Sequence, residues 1–126
     1  MAARPAAPLP RRRRAVRALI PRSGITLVVA TDEPTSLTDS YAFIKLTLAR
    51  HAEADIRIVI NMADSERAGE RTYATLAKAC ENFLRARPPL AGIVPRDTHV
   101  PDAIRRQTAL LIRHPTSPAA KCVEAL

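Results

Sequence analysis

Beyond residue 24 the chain alternates between two textures of apolar and polar positions. One is the short unbroken apolar run: "ITLVVAT" (25–31), "IRIVINM" (56–62) and "LAGIVP" (90–95). Runs of this length, rich in Val and Ile, predict strands, and continuous rather than alternating apolarity predicts strands covered on both faces. The other texture repeats at helical spacing. Leu37, Tyr41, Ile44 and Leu48 predict a helix over 36–50 with one apolar face. Tyr73, Leu76, Ala77, Cys80, Phe83 and Leu84 form a stripe on a longer helix running from Ser65 to about residue 87. Two shorter helices are expected near 101–112 and 117–125.

The residues between these segments say where each should stop. Pro34 closes the first strand, and Ser36 with Asp39 has the S-x-x-D spacing of a capping box. Ser65 is placed to cap the long helix. "RARPPL" should end it, because a residue preceding proline is pushed out of the α region and two prolines follow each other here. Strand, helix, strand, helix, strand, helix is the order of a parallel sheet with crossover helices, so the fold class is α/β: part of a doubly wound sheet of about three strands. Such sheets bind ligands beyond the carboxyl ends of their strands. Those ends are "TDEPTS", "NMADSE" and "PRDTHV", polar where the strands are not.

Composition refines this picture in two places. Apolar residues make up 47% of 126, yet there is no Trp and only two Phe and two Tyr, so the core must be built from Ala, Val, Ile and Leu. The net charge of +8 is unevenly spread: residues 1–24 hold seven Arg and no acid, leaving 13 basic and 12 acidic side chains in the other 102 residues. The excess belongs to a tail, and the globular part has none to offer a nucleic acid. Residues 1–23, rich in Arg, Pro and Ala, are expected to be disordered. "AVRALIP", broken by Arg17, is too short for a signal peptide, although an acid-free, Arg-rich start also fits a transit peptide in composition. The two cysteines match neither a disulfide framework nor a zinc motif, and a reducing, cytoplasmic setting is expected.

Candidate chemistry is sparse. With three Gly there is no G-x-x-x-x-G-K-[ST] and no G-x-G-x-x-G, so no loop of backbone amides is placed to cradle a phosphate. His51, His99 and His114 lie apart, none at metal-ligand spacing, and no Ser–His–Asp or Cys–His set follows from spacing. No catalytic and no metal site is assigned. Three loop clusters remain. Asp32 and Glu33 could offer carboxylates to magnesium, or simply favour the positive end of the following helix. Asn61 ends a buried strand; its amide both donates and accepts, matching the N6/N7 edge of adenine, or it bonds its own loop. Pro95 and Asp97 are either site residues or turn residues.

Taken together and in order, these stretches resemble the C-terminal half of the MinD/ParA class of deviant P-loop ATPases, with the flagellar-number regulators and MinD-like proteins nearest. The pattern there is strand–T-x-E-P-T-S-x-T-D-x-Y–helix, strand–N–helix, strand–I-P-x-D–helix and a late P-x-S-x-A. This chain has Thr31, Glu33, Pro34, Thr35, Ser36, Thr38, Asp39 and Tyr41, then Asn61, then Val94, Pro95, Arg96 and Asp97, then Pro115, Ser117 and Ala119. Asp32 stands where Pro is commonest, and Val94 replaces Ile. The likeness covers residues 24–126.

The resemblance implies an ATP-binding protein, with magnesium as the companion ion, acting in flagellar placement or number or in cell polarity. It implies that Asn61 contacts adenine, that Pro95, Arg96 and Asp97 wrap the base, and that Glu33 reaches the ribose held by a facing subunit. A homodimer, or association with the missing N-terminal half, and a flagellar GTPase are the partners it suggests. Relatives also meet the cytoplasmic membrane, but the last helix here supports no anchor. The class begins with a K-G-G-x-G-K-[ST] loop, which the 24 residues before Ile25 do not contain. The expectation is therefore a fragment carrying the adenine side of a pocket, with weak or absent ATP binding and no activity alone. Two other readings stand beside it: a nucleotide-independent interaction module, and a nucleic-acid binder acting through Arg11–Arg14.

Overall fold

The computed structural model describes residues 24–126; the disorder expected for residues 1–23 lies outside them. Three strands, β1 (Ile25–Ala30), β2 (Asp55–Ala63) and β3 (Leu90–Pro95), form one sheet in the order β1-β2-β3. Both pairings are parallel, Ile25 lying opposite Asp55 and Ile60 opposite Ile93. The crossovers are α1 (Pro34–Arg50) and α2 (Glu66–Leu84), and three short helices follow: α3 (His99–Arg105), α4 (Leu110–Arg113) and α5 (Pro118–Glu124). The α/β class and the parallel sheet are as the apolar pattern predicts.

The two crossover helices share one face of the sheet. Ile44 of α1 and Leu76 and Cys80 of α2 are buried with Val28, Ala30, Ile56, Ile58 and Ile60 of β1 and β2. At Gly69 the helix comes so close to β3 that an added Cβ would sit 2.5 Å from Ile93 Cγ2, which makes glycine the side chain that this crossing demands. The Tyr73 hydroxyl donates to the Pro88 carbonyl (2.8 Å) and fastens α2 to the approach to β3. On the other face a smaller cluster of Val59, Val94 and Ala119, flanked by Val100, Leu110 and Cys122, holds the C-terminal helices against β2 and β3.

Several details depart from the sequence reading. β1 is covered on one face only: Ile25, Leu27 and Val29 are 51%, 46% and 57% exposed. The C-terminal helices pack beside β3 and do not reach across the sheet, so the continuous apolar run of β1 has an uncovered half among the described residues. Helix α1 starts at Pro34 rather than residue 36, because proline at the first helical position brings its φ already set. Ser36 does not form the capping box with Asp39; its hydroxyl accepts the Thr31 N–H (2.9 Å) instead and ties the loop to the helix.

Ser65 does cap α2, its hydroxyl accepting from Ala68 N–H at 3.0 Å. That helix ends at Leu84, short of residue 87, through Arg85 in the left-handed conformation (φ 54). Phe83 falls outside the core, 75% exposed, with its ring edge-on to Tyr41. The helix expected over 101–112 is two pieces, divided where Gln107 takes φ 52 and the chain turns back.

Candidate functional site

The carboxyl ends of β2 and β3 lie side by side. Ala63 pairs with Pro95, and Arg96 N–H donates to the Ala63 carbonyl at 2.8 Å, which welds the two strand-end loops together. Asn61 and Met62 occupy an irregular stretch: the register shifts between Ile60 and Ala63, and Met62 has φ 52. A β-branched residue would resist that backbone, and the kink turns the end of β2 out of the regular pleat. Asn61 is half-buried there. No fully buried side-chain N or O among the described residues lacks a partner, so its amide is either bonded or within reach of solvent and ligand.

The loop after β3 is the most closely tied part of this edge. Asp97, with its side chain 4% exposed, accepts the Ala119 N–H at Oδ2 (3.0 Å). Its Oδ1 accepts from His99, both the backbone N–H (2.9 Å) and ring Nδ1 (2.7 Å). These bonds to the charged form, that from Ala119 first, hold the carboxyl at about 2. Asp97 therefore joins the β3 loop to the first turn of α5, and both of its oxygens are in use. Arg96 points the other way, pairing Nε with Asp64 Oδ1 at 3.1 Å in an exposed contact of small energetic weight.

Glu33 stands at the end of β1, on the far side of β2 from that loop. It is the residue before α1, its N–H donating to Thr31 Oγ1 (3.3 Å) and its carbonyl accepting from Leu37 N–H (3.1 Å). Its side chain, like that of Asp32, is exposed. Asn61, Pro95, Arg96 and Asp97 thus gather at two adjacent strand ends, while Glu33 follows the end of β1, the strand on the other side of β2. Among the described residues no three His, Cys, Asp or Glu side chains are arranged to hold a metal ion.

Sequence reasoning missed one cluster beside this site. His114 Nε2 meets Asp102 Oδ2 at 2.7 Å, and the rings of His99 and His114 lie 4.6 Å apart, tilted by 56°. Asp102 also accepts from Arg106 (3.3 Å) and Arg113 (3.3 Å). The imidazole contact comes first among the causes that lower its pKa. His114, which by spacing stands apart from the other histidines, is half-buried and bonded. No spacing rule could show this, because the turn at Gln107 brings together residues 15 positions apart.

A separate open groove of about 510 Å³ runs along the outer edge of β3 and shares only Pro95 with these residues. No described helix is long and apolar enough to cross a membrane.

No protein-family profile matches the chain. Among curated proteins it is similar to the antiactivator FleN of Pseudomonas aeruginosa, 37% identical over 100 residues. That alignment takes in 79% of this chain and 36% of FleN. It is also similar to an uncharacterised ATP-binding protein of Methanocaldococcus jannaschii, 32% identical over 97 residues, or 77% of this chain and 34% of that protein. The chain spans about a third of the length of the relatives it matches.

Proposed function

From a chain that belongs to the MinD/ParA-like family, we propose that residues 24–126 carry the adenine side of an ATP pocket. One observation carries this reading: Asn61 and the 95–97 loop end adjacent parallel strands at the sheet edge where α/β folds take ligands. The Asn61 amide pairs with the N6/N7 edge of the base, accepting from the amino group and donating to the ring nitrogen. Pro95 and Arg96 wall the base, and Asp97 holds that wall in place through α5. Glu33 meets the ribose of a nucleotide on a facing copy. The process served is flagellar placement or number, in keeping with an antiactivator relative.

The phosphate side has no counterpart in these residues. Phosphoryl transfer needs a lysine, loop amides, magnesium and a positioned water around the γ-phosphate, and the sequence contains no Walker-type loop. Base and ribose contacts must also offset the cost of immobilising the ligand, so ATP affinity is expected near ~1 mM, with turnover at background. Titration with a fluorescent ATP analogue tests this. Weak binding that is lost in Asn61→Ala and not matched by a pyrimidine nucleotide supports the reading. Binding indifferent to Asn61 and to the base contradicts it.

A second reading rests on the uncovered face of β1. Ile25, Leu27 and Val29 lie exposed on a strand whose outer edge has no partner among the described residues. This favours an interaction module whose partner is a second copy or a polypeptide supplying the phosphate half. Added stoichiometrically, such a polypeptide would restore tight ATP binding only if the two readings are one.

A further inference from the structure

We propose that Met62 is a second base-contacting residue, its thioether lying on the flat face of the purine whose edge Asn61 reads. It rests on the base-side reading of Asn61 and the 95–97 loop, and separates how the base is held from how it is identified. Strand β2 carries an extra residue at its end. Ile60 lies opposite Ile93 and Ala63 opposite Pro95, so β2 spends three steps where β3 spends two. Before that point alternation is strict: Ile56, Ile58 and Ile60 enter the core shared with α1 and α2, whereas Val59 joins the cluster that holds α5. Continued, this alternation would carry Met62 into the α1–α2 core. Ala63 takes that place instead, buried in the same cluster as Ile58 and Ile60, and Met62 is displaced outward, 40% exposed.

Two local costs fall on this one residue. An apolar side chain that regular register would bury is left in water, and its backbone is held at φ 52, which glycine takes freely and other residues do not. Departures of this kind collect at ligand sites, where the surrounding structure holds them in place. Here they are held by the Ala63–Pro95 pairing and the Arg96 N–H bond to the Ala63 carbonyl, immediately after Met62. The chemistry of the site supplies the reason. Asn61, Arg96 and Asp97 are polar, whereas a purine has two flat faces that small-molecule sites cover mainly with apolar atoms. In the three strand-end loops, 31–36, 61–66 and 95–100, Met62 is the one large apolar side chain that is exposed. Its unbranched, polarisable thioether packs favourably against an aromatic ring. A face contact is blind to the substituents on the ring edge, so Met62 serves adenine and guanine equally. Asn61 tells them apart, because only adenine offers an amino donor beside N7.

Methionine methyl resonances of the full chain, labelled at Cε with carbon-13, test this directly, because the chain has only Met1 and Met62. The Met62 signal should move upfield during titration with ATP or GTP, through the ring current of the base, and stay still with inorganic triphosphate. The Met62→Gly variant separates contact from architecture. Its urea midpoint should be level with or above the native one, since glycine takes φ 52 freely. Its affinity for ATP and for GTP should fall by the same factor, about two- to tenfold. Asn61→Ala should instead erase the preference for ATP over GTP. Native affinity in Met62→Gly overturns the proposal. So does a stationary Met62 methyl while the Asn61 side-chain amide responds to ATP, a result that leaves the base-side reading standing. A responsive Met62 methyl with an indifferent Asn61 amide sustains the contact and counts against Asn61 as reader of the edge. Silence of both at millimolar ATP overturns both. If Met62→Gly fails to fold, the native methyl titration still decides.

Discussion

Asp97 is the residue whose role changes most between sequence and structure. As a letter in "VPRDTHV" it is a turn residue or a site residue; in the fold it is a buried acceptor for two backbone N–H groups and an imidazole. Asp97→Ala leaves those donors without their charged acceptor, and a loss of about 2–3 kcal/mol in urea unfolding is expected. Its carboxyl is held at about 2, below the ordinary value near 4. The stability it lends is thus complete above about pH 4 and lost as pH falls toward 2. Urea midpoints that stay level through this window in the native chain but not in Asp97→Ala would contradict the assignment. The cysteines give a second check at this scale. Cys80 is buried, which pushes its thiol up, while Cys122 is half-exposed. Iodoacetamide should label Cys122 in the native protein and reach Cys80 only after denaturant is added. Cys80 was legible from its place on the α2 stripe. The His99–His114 contact was not, since nothing in a linear pattern marks where Gln107 reverses the chain.

Elements were legible in proportion to how strongly local chemistry fixes them. All three strands and both crossover helices follow from apolar runs and helical spacing, and Ser65 caps α2 as its position suggests. The misses share one cause: tertiary contacts outrank local preference. Ser36 has the spacing of a cap, but Thr31 N–H is the nearer need. Apolar residues on both sides of β1 suggest two covered faces, yet coverage depends on neighbours that the C-terminal helices do not provide. The close crossing at Gly69 makes a test in which two effects oppose. In a free helix Gly→Ala gains about 1 kcal/mol, whereas the Cβ here would sit 2.5 Å from Ile93. Overpacking should win, and Gly69→Ala should destabilise by about 1–3 kcal/mol. A stabilised variant would show that α2 and β3 have room to part.

For the molecule as a whole, the uncovered half of β1 and its open edge are the features most in need of a partner. Leu27→Lys should leave the unfolding free energy within about 0.5 kcal/mol, because the side chain is already exposed, while reducing association seen by sedimentation at rising concentration. A destabilisation of several times that size would mean the face is covered. The central claim concerns the carboxyl ends of the strands, and proposes that the adjacent ends of β2 and β3 hold an adenine. Amide resonance shifts during ATP titration of isotope-labelled protein test it most directly. The account predicts that shifts concentrate at the Asn61 side-chain amide and at Arg96, Asp97 and their neighbours, and vanish with Asn61→Ala. Shifts confined to other regions, or none at millimolar ATP, would contradict it.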